Sequence, residues 1–341
     1  MVRPRRWNVC VVLLAAHWIA CSEHPSEPPS GGHWPQCPGM IRTDVPSDVV
    51  WDISPDNQQV LYVHIEPGEV TGTLFIRDIA PESTADSLMP AAILDPHDLR
   101  FSPDGRRVAL VRWGTYDVYV LDLDTGELRR VTFTSGNASD PDWDPSGQFI
   151  LYQRPLQPAG APDTASGFHI VDTATLESRP LRQANGSWIG GGEPRWSPDG
   201  HWITFWFGVR FDPGPTPRTA THILRMAVDG SRLRDLTPGP RNNEKPFWIN
   251  GGDDILFISY HATTYNEHSY RVVDFRGERI REWPVDLNPY GTKLVISRDG
   301  TLFAVTGPDP ECKQWVTYLQ ETTDLDGSTR IMLVHDQTGP R

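Results

Sequence analysis

The chain is expected to fold as an all-β, six-bladed β-propeller of four-stranded antiparallel blades. Three observations lead there: one short turn phrase recurs six times, the copies lie about fifty residues apart, and alternating apolar runs flank each copy. The clearest copy is Arg195-Trp196-Ser197-Pro198-Asp199-Gly200 followed by Trp202-Ile203-Thr204-Phe205. In it Pro presets φ, Asp bonds its own backbone and Gly accepts φ > 0, so the two apolar runs form a hairpin.

The remaining copies follow in chain order. They are Ile53-Ser54-Pro55-Asp56-Asn57, Phe101-Ser102-Pro103-Asp104-Gly105, Trp143-Asp144-Pro145-Ser146-Gly147, the degraded Trp248-Ile249-Asn250-Gly251-Gly252-Asp253, and Ile296-Ser297-Arg298-Asp299-Gly300. Anchors at Ile53, Phe101, Trp143, Trp196, Trp248 and Ile296 give spacings of 48, 42, 53, 52 and 48 residues. Each unit goes on to a third run, clearest at Asp117–Gly126, and a fourth, as in Leu128–Thr132. Four strands in under about fifty residues suit a radial blade better than a solenoid coil. The six blades are expected near 47–97, 98–139, 140–192, 193–244, 245–291 and 292–336.

The phrase "apolar, Ser-Pro-Asp-Gly, two spacers, apolar strand", with later strands ending in Leu236-Thr237 or Val131-Thr132, resembles the TolB-like propeller family and its WD-repeat-like motif. The resemblance covers residues 47–336 or so and speaks for fold rather than activity. It implies an envelope protein that binds other proteins, among them envelope lipoproteins or peptidoglycan-associated complexes. The separate N-terminal α/β domain of that family's namesake is not expected in this chain.

Residues 1–20 carry a basic start (Arg3, Arg5, Arg6) and a short apolar core, too brief for a permanent membrane span, and read as a secretory signal. Ile19-Ala20-Cys21 resembles a bacterial lipobox, so Cys21 is the expected lipidation site and the only membrane attachment. Residues 21–39, rich in Pro, Ser and Gly, read as a disordered tether ahead of a propeller over 40–341, with Met40–Thr43 a candidate closing strand. The address this implies is an exported lipoprotein on the periplasmic face of an outer membrane. Cys10 leaves with the signal, so Cys37 and Cys312 are the thiols left to pair in an oxidising compartment, latching the entry segment to blade 6.

Composition fits a turn-rich β protein, with 32 Pro and 29 Gly. The formal charge is −13, and losing the three leader arginines makes it −16, which argues against a nucleic-acid partner. There is no Gly-x-Ser-x-Gly elbow, His-Glu-x-x-His, phosphate loop or dinucleotide fingerprint, so neither a catalytic residue nor a cofactor is expected. His261, Glu267 and His268 share a stretch but not the spacing of a metal site.

Two sets of residues are candidates for binding. Three places before each anchor stand Asp98, Asp140, Glu193, Lys245 and Lys293, with Val50 at the same offset in the first unit; the position should ring the channel mouth and polarise it, acids against lysines. The long segments Arg154–Ser166, Phe207–Ala220 and Ser259–Ser269 read as loops of the opposite face from the turns. With Trp188 they offer Arg210, Phe211, Tyr265 and His268 to a partner. Trp143, Trp196 and Trp248 share a repeat position and read as inter-blade core. The expected function is a monomeric, non-enzymatic, envelope-tethered propeller that binds a protein or peptide. The alternative is a propeller enzyme or sugar-binding protein acting on a carbohydrate or lactone at the channel.

Overall fold

The computed structural model describes residues 48–65, 72–79, 86–88, 96–112, 114–133, 138–155, 166–187, 189–210, 219–262, 268–283, 293–308, 315–321 and 331–333. These form six four-stranded antiparallel sheets in chain order, numbered 1 to 6 below, each ordered from its first strand outward. The innermost strands are Asp48–Ile53, Pro96–Phe101, Ser139–Trp143, Gly192–Trp196, Arg241–Ile249 and Lys293–Ile296. Each runs into its recurring turn and pairs back on the next strand, as the hairpin reading requires. The leader, the tether, Met40–Thr43, Cys21, Cys37 and Cys312 lie outside the described residues. Among the described residues no helix is long and apolar enough to cross a membrane.

The turn phrase recurs because its side chains replace backbone partners that the bend removes. Ser54, Ser102, Ser197 and Ser297 each donate a hydroxyl hydrogen bond to the Asp two residues on, at 2.5–2.6 Å. Each of those hydroxyls also accepts the backbone N–H five residues on, at 2.8 Å from Gln59, 3.0 Å from Arg107, and 2.9 Å from Trp202 and Leu302. In sheet 3 Asp144 takes over, accepting the Phe149 N–H at 2.7 Å and the Ser146 hydroxyl at 2.5 Å. The swap from Ser-Pro-Asp to Asp-Pro-Ser keeps the same closed set of donors and acceptors.

Proline and glycine of the phrase have a second use, made between sheets. A Cβ added at Gly105 would sit 3.5 Å from the Pro55 ring, at Gly147 3.5 Å from Pro103, at Gly200 3.4 Å from Pro145 and at Gly252 3.4 Å from Pro198. The proline of each of the first four turns therefore packs on the glycine of the next. The series changes at its ends: Gly300 faces the Ile249 backbone at 2.7 Å, since the fifth turn has no proline. Sheet 6 has Arg298 in place of proline and sheet 1 has Asn57 in place of glycine. There the Asn57 amide, held at φ 58, donates to Asp299 at 2.8 Å and to Thr301 at 3.0 Å.

The core lies between sheets. Leu61, Leu74, Leu99 and Leu110 join sheets 1 and 2; Ala109, Val120, Trp143 and Ile150 join 2 and 3; Leu151, Phe168, Ile203 and Phe205 join 3 and 4. Ile223, Trp248 and Phe257 join 4 and 5, Leu256, Ile258 and Phe303 join 5 and 6, and Val50, Val60, Val295 and Ala304 join 6 back to 1. Facing sheets that alternate Val, Ile, Leu and aromatic residues on both sides give each pair a dry interface.

Three segments expected to be loops are partly strand. Trp202–Arg210 and Thr219–Ala227 pair through Arg210↔Thr219, so Phe207–Arg210 and Thr219–Ala220 prolong a hairpin. Pro155 and Ser166 end another paired run, and Ser259–His261 belong to the second strand of sheet 5. The β-branched residues Val209, Thr219 and Thr221 favour this extension where turn composition alone suggested a loop.

Candidate functional site: two charged layers of the channel

Asp98, Asp140, Glu193 and Lys245, aligned by offset alone, share one unusual backbone. Their φ values are 52°, 51°, 49° and 55°, the left-handed region. Each sits where the inner strand slips register against its partner, between His97 and Arg100, opposite Leu151 to Gln153, between Gly192 and Arg195, and between Glu244 and Phe247. A bulge of this kind re-aims one side chain out of the pleat. Lys293 departs from the set: its strand pairs regularly, Lys293↔Thr306, with no bulge. Val50 also departs, because it is buried in the core between sheets 1 and 6 rather than on the channel.

The three acids come together. The Asp98 carboxylate accepts the Asp140 backbone N–H at 3.2 Å, Ser139 donates to the Asp140 carboxylate at 3.2 Å, and the Trp206 indole donates to Glu193 at 3.2 Å. Burial, then the charges of Asp98 and Glu193, push the Asp140 carboxyl up to about 7, while Arg195 and the Ser139 hydroxyl pull the other way. Asp98 and Glu193, on the sheets either side, thus both act on Asp140.

A second layer stands one residue before each anchor: Asp52, Arg100, Asp142, Arg195, Phe247 and Val295. The charges alternate around sheets 1 to 4. Asp52 accepts the Phe101 N–H at 2.7 Å and lies 3.9 Å from Arg100; Asp142 accepts the Trp196 N–H at 2.7 Å. Between those carboxylate links, indole links alternate: Trp143 donates to the Arg100 carbonyl at 3.2 Å and Trp248 to the Arg195 carbonyl at 3.2 Å. Trp143 and Trp248 are buried, as an inter-blade role demands, while Trp196 is half-buried. Burial pushes Asp52 up to about 6 against the pull of Arg100 and the amides of Phe101 and Ile53. Burial, and next Arg100, lower the pKa of Arg195.

On the turn side of this layer is a cavity of about 70 Å³ lined from all six sheets, with Arg298 of sheet 6 reaching across to donate to the Trp143 carbonyl at 3.0 Å. That volume holds a few waters, not a peptide or a sugar chain.

Of the partner-face candidates, Arg210 is exposed at the end of its strand, and the His268 ring stacks on Tyr260 with centroids 5.0 Å apart. Trp188, Phe211 and Tyr265 lie outside the described residues, as does Glu267. Among the described residues no three of His, Cys, Asp or Glu are placed to hold a metal ion.

The fold is that of a β-propeller with four-stranded antiparallel blades, charged along its channel. Its structural neighbours are TolB-like propellers. TolB from Acinetobacter baumannii superposes with a TM-score of 0.60 at 19% identity, over 83% of this chain and 65% of that one, so the chain spans just under two thirds of that neighbour. A putative TolB from Agrobacterium tumefaciens gives 0.53 at 21% identity, over 69% of this chain and 79% of that one. Oligogalacturonate lyase from Vibrio parahaemolyticus gives 0.55 at 15% identity, over 86% and 81%. In sequence, an uncharacterised protein of Agrobacterium fabrum is 27% identical over 169 residues, 47% of this chain; the chain spans about half the length of that relative. No family model matches. Identities this low establish the fold and leave activity to the site itself.

Proposed function

We propose that this chain is a six-bladed, envelope-tethered propeller that binds a protein or peptide partner through the acidic mouth of its channel. The observation that carries the reading is the trio Asp98, Asp140 and Glu193, three carboxyls on consecutive sheets, all on left-handed bulges. Asp tolerates that backbone; Glu193, like Lys245, is held there at a cost of about 1–2 kcal/mol. Strain of this kind, repeated at one position and combined with a carboxyl near neutrality, points to a positioning role. The trio suits a cationic group of the partner, a lysine, an arginine or an amino terminus, whose charge would release the proton that Asp140 holds. Arg210, His268, Trp188, Phe211 and Tyr265 would extend the contact across the loop face, with Lys245 and Lys293 orienting it. Lipidation of Cys21, the Cys37–Cys312 latch, the monomeric state and a place on the periplasmic face of the outer membrane belong to the same reading. Its support is the lipobox and tether in the sequence together with the likeness to TolB propellers.

The second reading, an enzyme or sugar-binding protein at the channel, draws on the fold likeness to oligogalacturonate lyase. Covalent capture decides between them. A photo-reactive residue at Arg210, in protein exposed to envelope membranes, should trap a protein whose yield falls when Asp98, Asp140 and Glu193 become Asn, Asn and Gln. Undiminished trapping in that variant would remove the acids from the site. Retention of an oligosaccharide, or its cleavage, would turn the assignment to the second reading.

A further inference from the structure

We propose that the turn-side end of the channel is a binding site for a single carboxylate group, held by the guanidinium groups of Arg195 and Arg298. It is separate from the partner site above, which lies at the acid trio farther from the turns, and it does not depend on that reading.

Charge is the first argument. The cavity is lined by three guanidinium groups, Arg100, Arg195 and Arg298, and two carboxylates, Asp52 and Asp142. Both carboxylates already have partners, since each accepts a backbone N–H at 2.7 Å and Asp52 also faces Arg100. Arg100 is likewise engaged, donating to the carbonyls of Trp51 at 2.7 Å and Leu99 at 3.2 Å. Among the lining side chains one positive charge is thus left over; at Arg195 the carboxylates of Asp142, Glu193 and Asp140 offset part of it, and Arg298 has no such neighbour in the lining.

Unused donors are the second argument. Arg195 is 8% exposed, its one strong bond goes to its neighbour's carbonyl at 3.0 Å, and its Nε has no partner. Trp196, which lines the same cavity, has an indole Nε1 with none either. Arg298 uses one donor on the Trp143 carbonyl out of the five a guanidinium carries. A buried donor without an acceptor is destabilising, so an acceptor that reached these groups would be favoured by their satisfaction. The planar fork of arginine matches two carboxylate oxygens, and the Phe247 ring, 5.6 Å from the Arg195 guanidinium carbon, supports it from one side.

Size is the third. A cavity of about 70 Å³ admits a carboxylate with its first carbon but not a larger body. The group could therefore come from a free small acid or from the end of a peptide.

The test uses the full chain with ¹⁵N-labelled indoles, at fixed ionic strength, titrated separately with acetate, N-acetylglycine and N-acetylglycinamide. Acetate or N-acetylglycine should shift the Trp143 and Trp196 indole signals saturably, and the uncharged amide should not. Tighter binding of N-acetylglycine than acetate assigns the site to a peptide terminus, and the reverse order to a free acid. Arg298→Gln, at the half-buried mouth, should weaken binding about tenfold or more with the melting temperature unchanged. Arg195→Met should abolish it if the variant folds. Equal shifts from the amide, no saturable shift from either acid, or full affinity in Arg298→Gln would each overturn the site and leave water as the partner of these donors.

Discussion

Replacing Asp140 by Asn should make the protein more stable at pH 8, by a gain that is smaller at pH 5 and smallest near pH 3.8. The folded-state pKa of Asp140 is about 7 against an ordinary 3.8, raised first by burial and then by Asp98 and Glu193. A raised pKa means the protonated form is favoured in the fold. Its contribution is fully present below about pH 3.8 and is lost as pH rises through about 7. A displacement from 3.8 to about 7 corresponds to about 4 kcal/mol at most. The realised gain in Asn should be smaller, about 1–3 kcal/mol, because Asp98 and Glu193 share the repulsion and Arg195 compensates part of it. Asn suits the left-handed φ of 51° and accepts the Ser139 hydroxyl as Asp does, so the bulge is preserved. Urea unfolding of both proteins at pH 5, 6, 7 and 8 measures the effect, and taking their difference cancels the similar titration of Asp52. Equal or lower stability of the variant at pH 8, or a gain that does not grow between pH 5 and 8, would refute the argument.

Further outcomes follow from other contacts. Gly300→Ala should cost more than Gly114→Ala although both glycines have positive φ: the first Cβ meets the Ile249 backbone at 2.7 Å and the second meets nothing within 4 Å. Thermal melts of the pair separate steric from conformational cost. Trp143→Phe should destabilise by about 1–3 kcal/mol in urea unfolding, since it strips the part-buried Arg100 carbonyl of its indole donor. Both ring nitrogens of His222 face acceptors, Asp235 at 2.7 Å and the Gly239 carbonyl at 2.8 Å, which demands an imidazolium. Burial opposes that charge, but these bonds prevail and raise the pKa, so this stability is present below 6.5 and lost as pH rises through the folded value. His222→Gln should therefore cost more at pH 6 than at pH 8 in parallel melts.

The repeat was legible because its cause is local: Ser, Pro, Asp and Gly close a turn by themselves, and their spacing needs no tertiary knowledge. The acid column was legible for the same reason, once the anchors were aligned, but its bulges were not. Nothing in Asp98 or Glu193 announces positive φ, and Lys293, at the same offset, sits on a regular strand. Val50 failed because an apolar residue at a charged offset follows the core instead. The layer Asp52, Arg100, Asp142, Arg195 stood two positions further along and was passed over. Its alternation of sign was the available signal, whereas the crossing of Arg298 to Trp143, 155 residues away, is invisible without the fold. The extension of the hairpin through Arg210 and Thr219 was hidden by the proline and glycine around it.

The packing of each turn's proline on the next turn's glycine has a direction, and only units 2, 3 and 4 carry both halves of it. Each of those three presents a proline ring and a receiving glycine, whereas unit 5 receives through Gly252 and presents no ring. The first presents the ring but has Asn57 in place of the glycine; the sixth, with Arg298, presents no ring, and its Gly300 meets the Ile249 backbone instead of one. A duplicated copy of unit 2, 3 or 4 would fit beside its parent without disturbing either neighbour. A duplicated end unit would bring half a contact and a stray polar group into the interior. Such an array would thus lengthen more readily from units 2 to 4 than from its ends, where Asn57 and Arg298 break the series.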